Sequence, residues 1–260
     1  VTEFVSSADG TRIAFDRVGS GPPLVLVSGI FCARPTTAGL AEALAGRYTV
    51  INYDRRGRGE SGNTAPYEVR REVEDLAALI EAAGGSAAVY GHSSGAGLVV
   101  RALAAGLPIT RAVLHEPPYS ENDERGRAEA RALAEQVRAA LADDRRGDAV
   151  KLFLAEAGMP PEMVEGAAHD PGMLAVAPTM LHDHLVMDDF DSGGALPDDL
   201  VRTITTPTLV LLGGASPEFF ASAARRLAAL LPDARLRVLD GQDHGAPAEH
   251  VAPAVREFLS

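Results

Sequence analysis

An α/β fold with a mostly parallel eight-stranded sheet, covered by helices on both faces, is predicted by three observations. Short apolar runs alternate with amphipathic helical patterns along most of the 260 residues. Several of those runs, such as Leu24-Val25-Leu26-Val27 and Leu209-Val210-Leu211-Leu212, are apolar at every position rather than at every second one, as in strands buried on both faces. Finally, Gly91-His92-Ser93-Ser94-Gly95 stands between an apolar run and a small-residue helical stretch, so a strand, a turn and a helix meet at a serine.

The elements follow in order. Residues 3–7 and 12–18, joined through Asp9-Gly10, read as an antiparallel hairpin. Strands are expected at 24–28, 49–53, 87–90, 112–115, 208–212 and 235–239, each short and rich in Val, Ile or Leu. Helical patterns occupy 38–45, 68–83, 95–105, 217–231 and 249–259. The alternation breaks between Ser120 and Leu200, where only helical pattern appears, as at 127–142 and 149–157, punctuated by Pro160-Pro161, Pro171-Gly172 and Gly193-Gly194. This reads as a helical cap inserted after the sixth strand, giving a core of 1–119 plus 201–260 and a cap of 120–200. Met159, Met163, Met173, Met180 and Met187, all the methionines of the chain, fall in the cap. Such flexible side chains suit a small core and an adaptable wall over a ligand equally well.

Composition removes several rivals. A net charge of −12 argues against nucleic acid as a partner, because phosphates would be repelled over most of the surface. No apolar run is long enough to span a bilayer and the chain opens on polar residues, so a cytoplasmic protein with no membrane partner is expected. Cys32 is the single cysteine, which excludes an internal disulfide and a cysteine-clustered metal site. Lys151 is the single lysine and lies in a helical charge run, which excludes a P-loop. The expected partner is a small-molecule substrate, with no metal and no cofactor. Oligomeric state leaves no mark on the sequence.

The G-x-S-x-G string reads as a nucleophile elbow, where the glycines allow close backbone approach and the turn lifts the Ser93 hydroxyl above the sheet edge. A second glycine string, Gly57-Arg58-Gly59-Glu60-Ser61-Gly62, imitates a dinucleotide fingerprint, but Asn63-Thr64-Ala65-Pro66 follows it where a helix should begin. It reads instead as a flexible loop beside the active site, with Asp54 in a structural role.

Over essentially its full length the chain resembles an α/β-hydrolase. The resemblance is carried by the opening hairpin, by Leu24 to Ile30 where the family has a strand ending in His-Gly, and by Asp54-Arg55-Arg56-Gly57-Arg58-Gly59-Glu60-Ser61 against the family's D-x-R-G-x-G-x-S loop. The elbow, the insertion after the sixth strand and Gly241-Gln242-Asp243-His244-Gly245 after the eighth complete it. It implies Ser93 as nucleophile and His244 as base, with oxyanion donors at the backbone N–H groups of Ile30 and Ser94. After the seventh strand, Ser216 stands where the family usually has its Asp, and a serine cannot stabilise an imidazolium. Glu116, ending the sixth strand, is the alternative acid, as in branches such as the haloalkane dehalogenases; Glu218 is the next candidate. Asp240 and Asp243 are too close to His244 in sequence to reach its far nitrogen. His92 and His115 read as packing residues.

The implied activity is hydrolysis of a small or medium apolar ester, lactone or thioester through a Ser-His-Glu triad and an acyl-enzyme. The alternatives are a cyclase or lyase of the same fold in natural-product metabolism, and a ligand-binding protein with an inactive site. Substrate-lining candidates are Cys32, Met180, His184 and Met187, in a mainly apolar pocket with one or two polar contacts. His182 and His184, each taken alone, read as surface residues by default. Removing the cap is expected to change substrate range more than it changes the sheet.

Overall fold

Eight strands form one sheet in the order β1-β2-β4-β3-β5-β6-β7-β8. They are β1 (Glu3–Ser6), β2 (Arg12–Val18), β3 (Pro23–Val27), β4 (Thr49–Tyr53), β5 (Ala87–His92), β6 (Ile109–His115), β7 (Thr208–Gly213) and β8 (Ala234–Leu239). Only the β1–β2 and β2–β4 pairings are antiparallel; the other pairings are parallel. The computed structural model describes residues 1–120 and 124–260, so positions 121–123 of the expected cap lie outside the described residues.

The continuous apolar runs are explained by what covers them. Val25 and Val27 of β3 face a layer formed by α2 (Val69–Ala82), α3 (Ser94–Ala104) and α10 (Glu218–Leu230), with α1 to α11 numbered along the chain. Leu24 and Leu26 face the opposite layer, α1 (Arg34–Leu44) and α11 (Ala248–Leu259). Adjacent side chains thus enter separate cores, which leaves no exposed face to alternate with. Pro35 near the start of α1 suits a helix N-terminus, so that helix begins at Arg34, earlier than its apolar pattern suggests.

Between β6 and β7 the described chain is helical: α4 (Glu124–Ala142), α5 (Arg146–Glu156), α6 (Pro161–Ala167), α7 (Pro171–Val176), α8 (Met180–Met187) and α9 (Asp198–Val201). A single bridge, Ser120 to Ala195, ties the two ends of the insertion together. Its early helices share an apolar cluster with Ile30 and Phe31, but Val186, Met187, Leu196 and Val201 belong to the main core. A Cβ on Gly97 of α3 would lie 2.5 Å from Met187 Sδ, so Met187 fills the seam between α8 and α3. The end of the insertion therefore shares the core of the sheet layer. No helix among the described residues is long and apolar enough to cross a membrane.

The loop at 54–62 corrects the expectation of flexibility. Arg55, Arg56 and Arg58 are all at most 1 % exposed. Asp54 accepts from the backbone N–H and Nε of Arg34 and from the N–H of Glu60, and a Cβ on Gly59 would collide with its carboxylate. No helix starts at the glycine string; α2 begins at Val69.

Candidate active site

Ser93 joins β5 to α3 with φ 56° and ψ −131°, a conformation that an L-residue adopts only when its surroundings enforce it. The enforcement is visible at the neighbouring glycines. A Cβ on Gly95 would lie 2.4 Å from the Val27 carbonyl oxygen, and one on Gly91 would lie 2.7 Å from Ala96 Cα. A Cβ on Gly29 would lie 2.8 Å from Ser93 Cβ, so the loop after β3 passes directly over the serine. The Ser93 N–H continues the sheet pairing by donating to the His115 carbonyl (2.9 Å).

One strand away, Glu116 follows β6, also at positive φ (47°), and is fully buried. Its N–H donates to the Leu211 carbonyl, which extends the β6–β7 pairing by one residue. Its Oε1 accepts from the Gly213 N–H at 2.6 Å, and its Oε2 lies 2.6 Å from His244 Nδ1. Burial raises the pKa of this carboxyl, but contact with His244, the nearby Ser216 hydroxyl and the Gly213 N–H outweigh it and hold the group below its ordinary value. The buried Ser216 hydroxyl has no partner with hydrogen-bond geometry. Glu218 instead pairs with Arg225 on the exposed face of α10, and Asp243 accepts from the Gly245 N–H within its own loop.

His244 sits in the loop between β8 and α11. Backbone contact fixes that loop against the end of β7, where Ala215 N–H donates to the Gln242 carbonyl and a Cβ on Gly213 would meet the same oxygen at 2.6 Å. The imidazole is held between two rings, His92 at 4.6 Å and Phe220 at 4.2 Å between centroids, the latter nearly parallel. Ser93 Oγ makes no hydrogen bond among the described residues.

His92 does more than pack. Its Nε2 lies 3.0 Å from the carbonyl oxygen of His244, and since only a protonated nitrogen can donate there, this fixes its tautomer. Burial, reinforced by His244, pushes its pKa down to about 4, so the ring is neutral at pH 7. His115 continues the row of rings at 4.9 Å from His92, and its Nδ1 meets Tyr90 Oη at 2.7 Å.

The oxyanion candidates Ile30 and Ser94 flank Ser93 from the β3 loop and the first turn of α3. Cys32 closes the same loop, its N–H donating to the Gly29 carbonyl, with a half-buried thiol whose pKa burial raises. Met180 is fully buried and shares an apolar cluster with Ile30, Phe31 and Phe153. Met187 belongs to the main core instead, in the seam between α8 and α3. His182 and His184 are not surface residues. His182 stacks on Tyr67 at 3.7 Å, and His184 is 3 % exposed, with Nδ1 2.6 Å from Asp189, edge-on to Phe153, and a buried Nε2 that has no partner among the described residues. The expected methionine wall is also incomplete, because Met163 is exposed.

Sequence reasoning missed a buried ionic network. Arg55 binds Glu72 through Nε and Nη2 (2.6 and 2.7 Å) and Asp183 through Nη1 (2.6 Å). Arg58 binds the other oxygen of Asp183, the Thr179 hydroxyl (2.9 Å) and the carbonyls of Gly29 (2.6 Å) and Cys32 (3.2 Å). Burial opposes charge on Asp183, but Arg55 and Arg58 hold its pKa down at about 2. The closely spaced arginines of the 54–61 loop were the available signal; the carboxylate shared by Arg55 and Arg58 lies 128 and 125 residues further on.

Comparison with known proteins agrees with this architecture. The chain is 31 % identical over 244 residues to 2-(acetamidomethylene)succinate hydrolase of Mesorhizobium japonicum, covering 87 % of this chain and 82 % of that protein. It is 28 % identical over 277 residues to polyketide synthase ThaQ of Burkholderia thailandensis, where 99 % of this chain spans 13 % of the relative's length. The crystal structure of an alpha/beta hydrolase from Sphaerobacter thermophilus is 48 % identical and superposes with a TM-score of 0.89, covering 99 % of this chain and 100 % of that one. Residues 24–257 match the alpha/beta hydrolase family, and with the sheet order and elbow described above the chain belongs to that family.

Proposed function

We propose that this protein is a serine hydrolase that cleaves a small or medium ester, lactone or thioester with an apolar acyl group, through an acyl-enzyme. The observation that carries the reading is the buried Glu116 carboxylate 2.6 Å from Nδ1 of His244, beside a serine at positive φ. Ser93 Oγ attacks the acyl carbonyl as His244 Nε2 takes its proton, and Glu116 stabilises the resulting imidazolium. The tetrahedral oxygen is received by the N–H groups of Ile30 and Ser94, the latter at the positive end of α3. His244 then protonates the leaving group; water, deprotonated by the same nitrogen, releases the acid and restores Ser93. The Ser93–His244 hydrogen bond forms with substrate bound, as is common where the free enzyme leaves it long.

The helices of the insertion cover this site in our reading, with Cys32, Met180 and His184 toward the substrate. An apolar cluster of Ile30, Phe31, Phe153 and Met180 supports an apolar acyl group, and the unpartnered Nε2 of His184 supports one polar contact. Hydrolysis of an amide is a second reading, favoured by the relative named for 2-(acetamidomethylene)succinate. A fluorophosphonate probe and a panel of p-nitrophenyl esters, lactones, thioesters and enamides test both. Labelling at Ser93 with turnover lost in Ser93→Ala is expected; undiminished hydrolysis by that variant would overturn the acyl-enzyme.

A further inference from the structure

Both candidate oxyanion donors are tied to one carboxylate, and it comes from the insertion rather than the sheet core. The carbonyl that receives Arg58 Nη1 at 2.6 Å is that of Gly29, and its peptide unit ends in the Ile30 N–H. In a trans peptide the C=O and N–H point in opposite directions within one plane, and the only cis bond described is Ala65–Pro66. Fixing the Gly29 oxygen therefore fixes the direction of the Ile30 hydrogen. Arg55 Nη1 holds the Ser28 carbonyl at 3.2 Å, and Arg58 also holds Cys32, so two guanidinium groups grip three carbonyls of the loop. Asp183 binds both: Oδ1 takes Arg55, and Oδ2 takes Arg58. Its Oδ1 also accepts the Ser94 hydroxyl at 2.7 Å, which anchors the residue bearing the second donor.

We infer that Asp183 of α8 is a positioning residue that aims both oxyanion donors, acting through Arg58 on Ile30 and directly on Ser94. The inference rests on the oxyanion roles proposed above. Two arginines against Asp183 and Glu72 sum to zero charge, so the network sets direction without adding net charge beside the reacting oxygen. A charged donor on the Gly29 carbonyl also polarises that peptide and strengthens its N–H as a donor. The insertion thereby contributes to the chemistry, not only to substrate choice.

The test compares Asp183→Asn with Asp75→Asn in ¹⁵N-labelled protein and in ester hydrolysis. Asp75 closes an equally buried pair with Arg56 of the same loop, and Arg56 has no described bond to residues 28–32 or Ser94. Asp183→Asn is expected to move the Ile30 and Ser94 amide resonances and to lower kcat on the order of 10- to 100-fold, part of what loss of a whole donor costs, with KM nearly unchanged. Asp75→Asn is expected to lower Tm while leaving both amides and kcat in place. Where Asp183→Asn does not fold, Arg58→Lys serves, since an ammonium cannot reach all of Asp183, Thr179, Gly29 and Cys32; it should move the Ile30 amide. Unmoved Ile30 and Ser94 amides, or a kcat loss no greater than that of Asp75→Asn, would overturn the inference. Turnover that survives Ser93→Ala would instead bring down the serine-hydrolase reading, while the amide shifts still decide the clamp.

Discussion

Replacing Glu116 with glutamine changes one atom and leaves the shape of the site intact. The carboxylate now serves two donors at once, the Gly213 N–H and His244 Nδ1, each at 2.6 Å. A glutamine has one acceptor oxygen, so only one donor keeps its partner. The Gly213 N–H is fixed in the sheet and cannot turn away, so the amide oxygen should face it and the NH₂ should face His244. That forces Nδ1 to accept, moves the ring hydrogen to Nε2 and leaves no lone pair to deprotonate Ser93. Loss of the imidazolium's counter-charge adds to the wrong tautomer. Together these lower kcat by about 10³–10⁴, or about 4–5.5 kcal/mol of barrier, as for the equivalent change in a serine protease triad. The alternative rotamer leaves two buried donors facing each other at about 1–3 kcal/mol, so Tm should fall by only a few degrees. The assay is p-nitrophenyl ester turnover per mole of folded protein. A folded Glu116→Gln protein within tenfold of the parent kcat would refute the assignment of Glu116 as the acid. Adding Ser216→Asp should restore part of the activity, because residue 216 lies close enough to stabilise the Glu116 charge.

Other outcomes follow from the same geometry. Gly29→Ala places a methyl 2.8 Å from Ser93 Cβ and should reduce fluorophosphonate labelling by about 10²-fold or more, while circular dichroism stays unchanged. His92→Phe keeps a ring beside His244 but removes the donor to its carbonyl; kcat should fall about tenfold and stability by about 1 kcal/mol in urea unfolding. Burial holds His92 and His182 at about 4 and His115 well below its ordinary value, whereas their unfolded pKa is about 6.5. Between those limits only the unfolded chain is protonated, so stability should fall with falling pH by about 1.4 kcal/mol per unit for each histidine. Asp75 and Asp189, raised by burial, act in the opposite sense. His182→Phe should flatten the urea midpoint's slope between pH 7 and 5; an unchanged slope would count against that residue's share. Excising 120–200 removes Asp183 from two buried arginines and Met187 from α3, so the remainder should lose its near-UV circular dichroism rather than stand as a trimmed core.

What the sequence made legible follows from the range of the forces involved. Runs such as Leu24–Val27 announce a doubly covered sheet because burial acts on each residue separately. The elbow is equally local, since its glycines answer to backbone atoms within a few residues or on the adjacent strand. Glu116 could be singled out because Ser216 leaves the other strand end without a charge, and the fold brings its carboxylate to His244. The arginines of the 54–61 loop misled because charge beside glycine normally marks a solvated turn, whereas Arg55 and Arg58 are neutralised by Glu72 and by Asp183 from a distant helix. His184 misled likewise, its Asp189 partner and aromatic neighbours arising only when the insertion folds. Long-range pairing between side chains has no periodicity, so it leaves no pattern to read.

The ring of His244 stacks on Phe220 on one side and is flanked by the tilted ring of His92 on the other. In the mechanism proposed above, one nitrogen, His244 Nε2, serves both halves of the reaction. In that mechanism the departing alcohol and the arriving water would use the same place in succession. In a hydrolase of the proposed kind, turnover would then be governed by how quickly the first product clears that place. Substrates with compact, soluble leaving groups would be favoured over those whose alcohol lingers, whatever the length of the acyl chain.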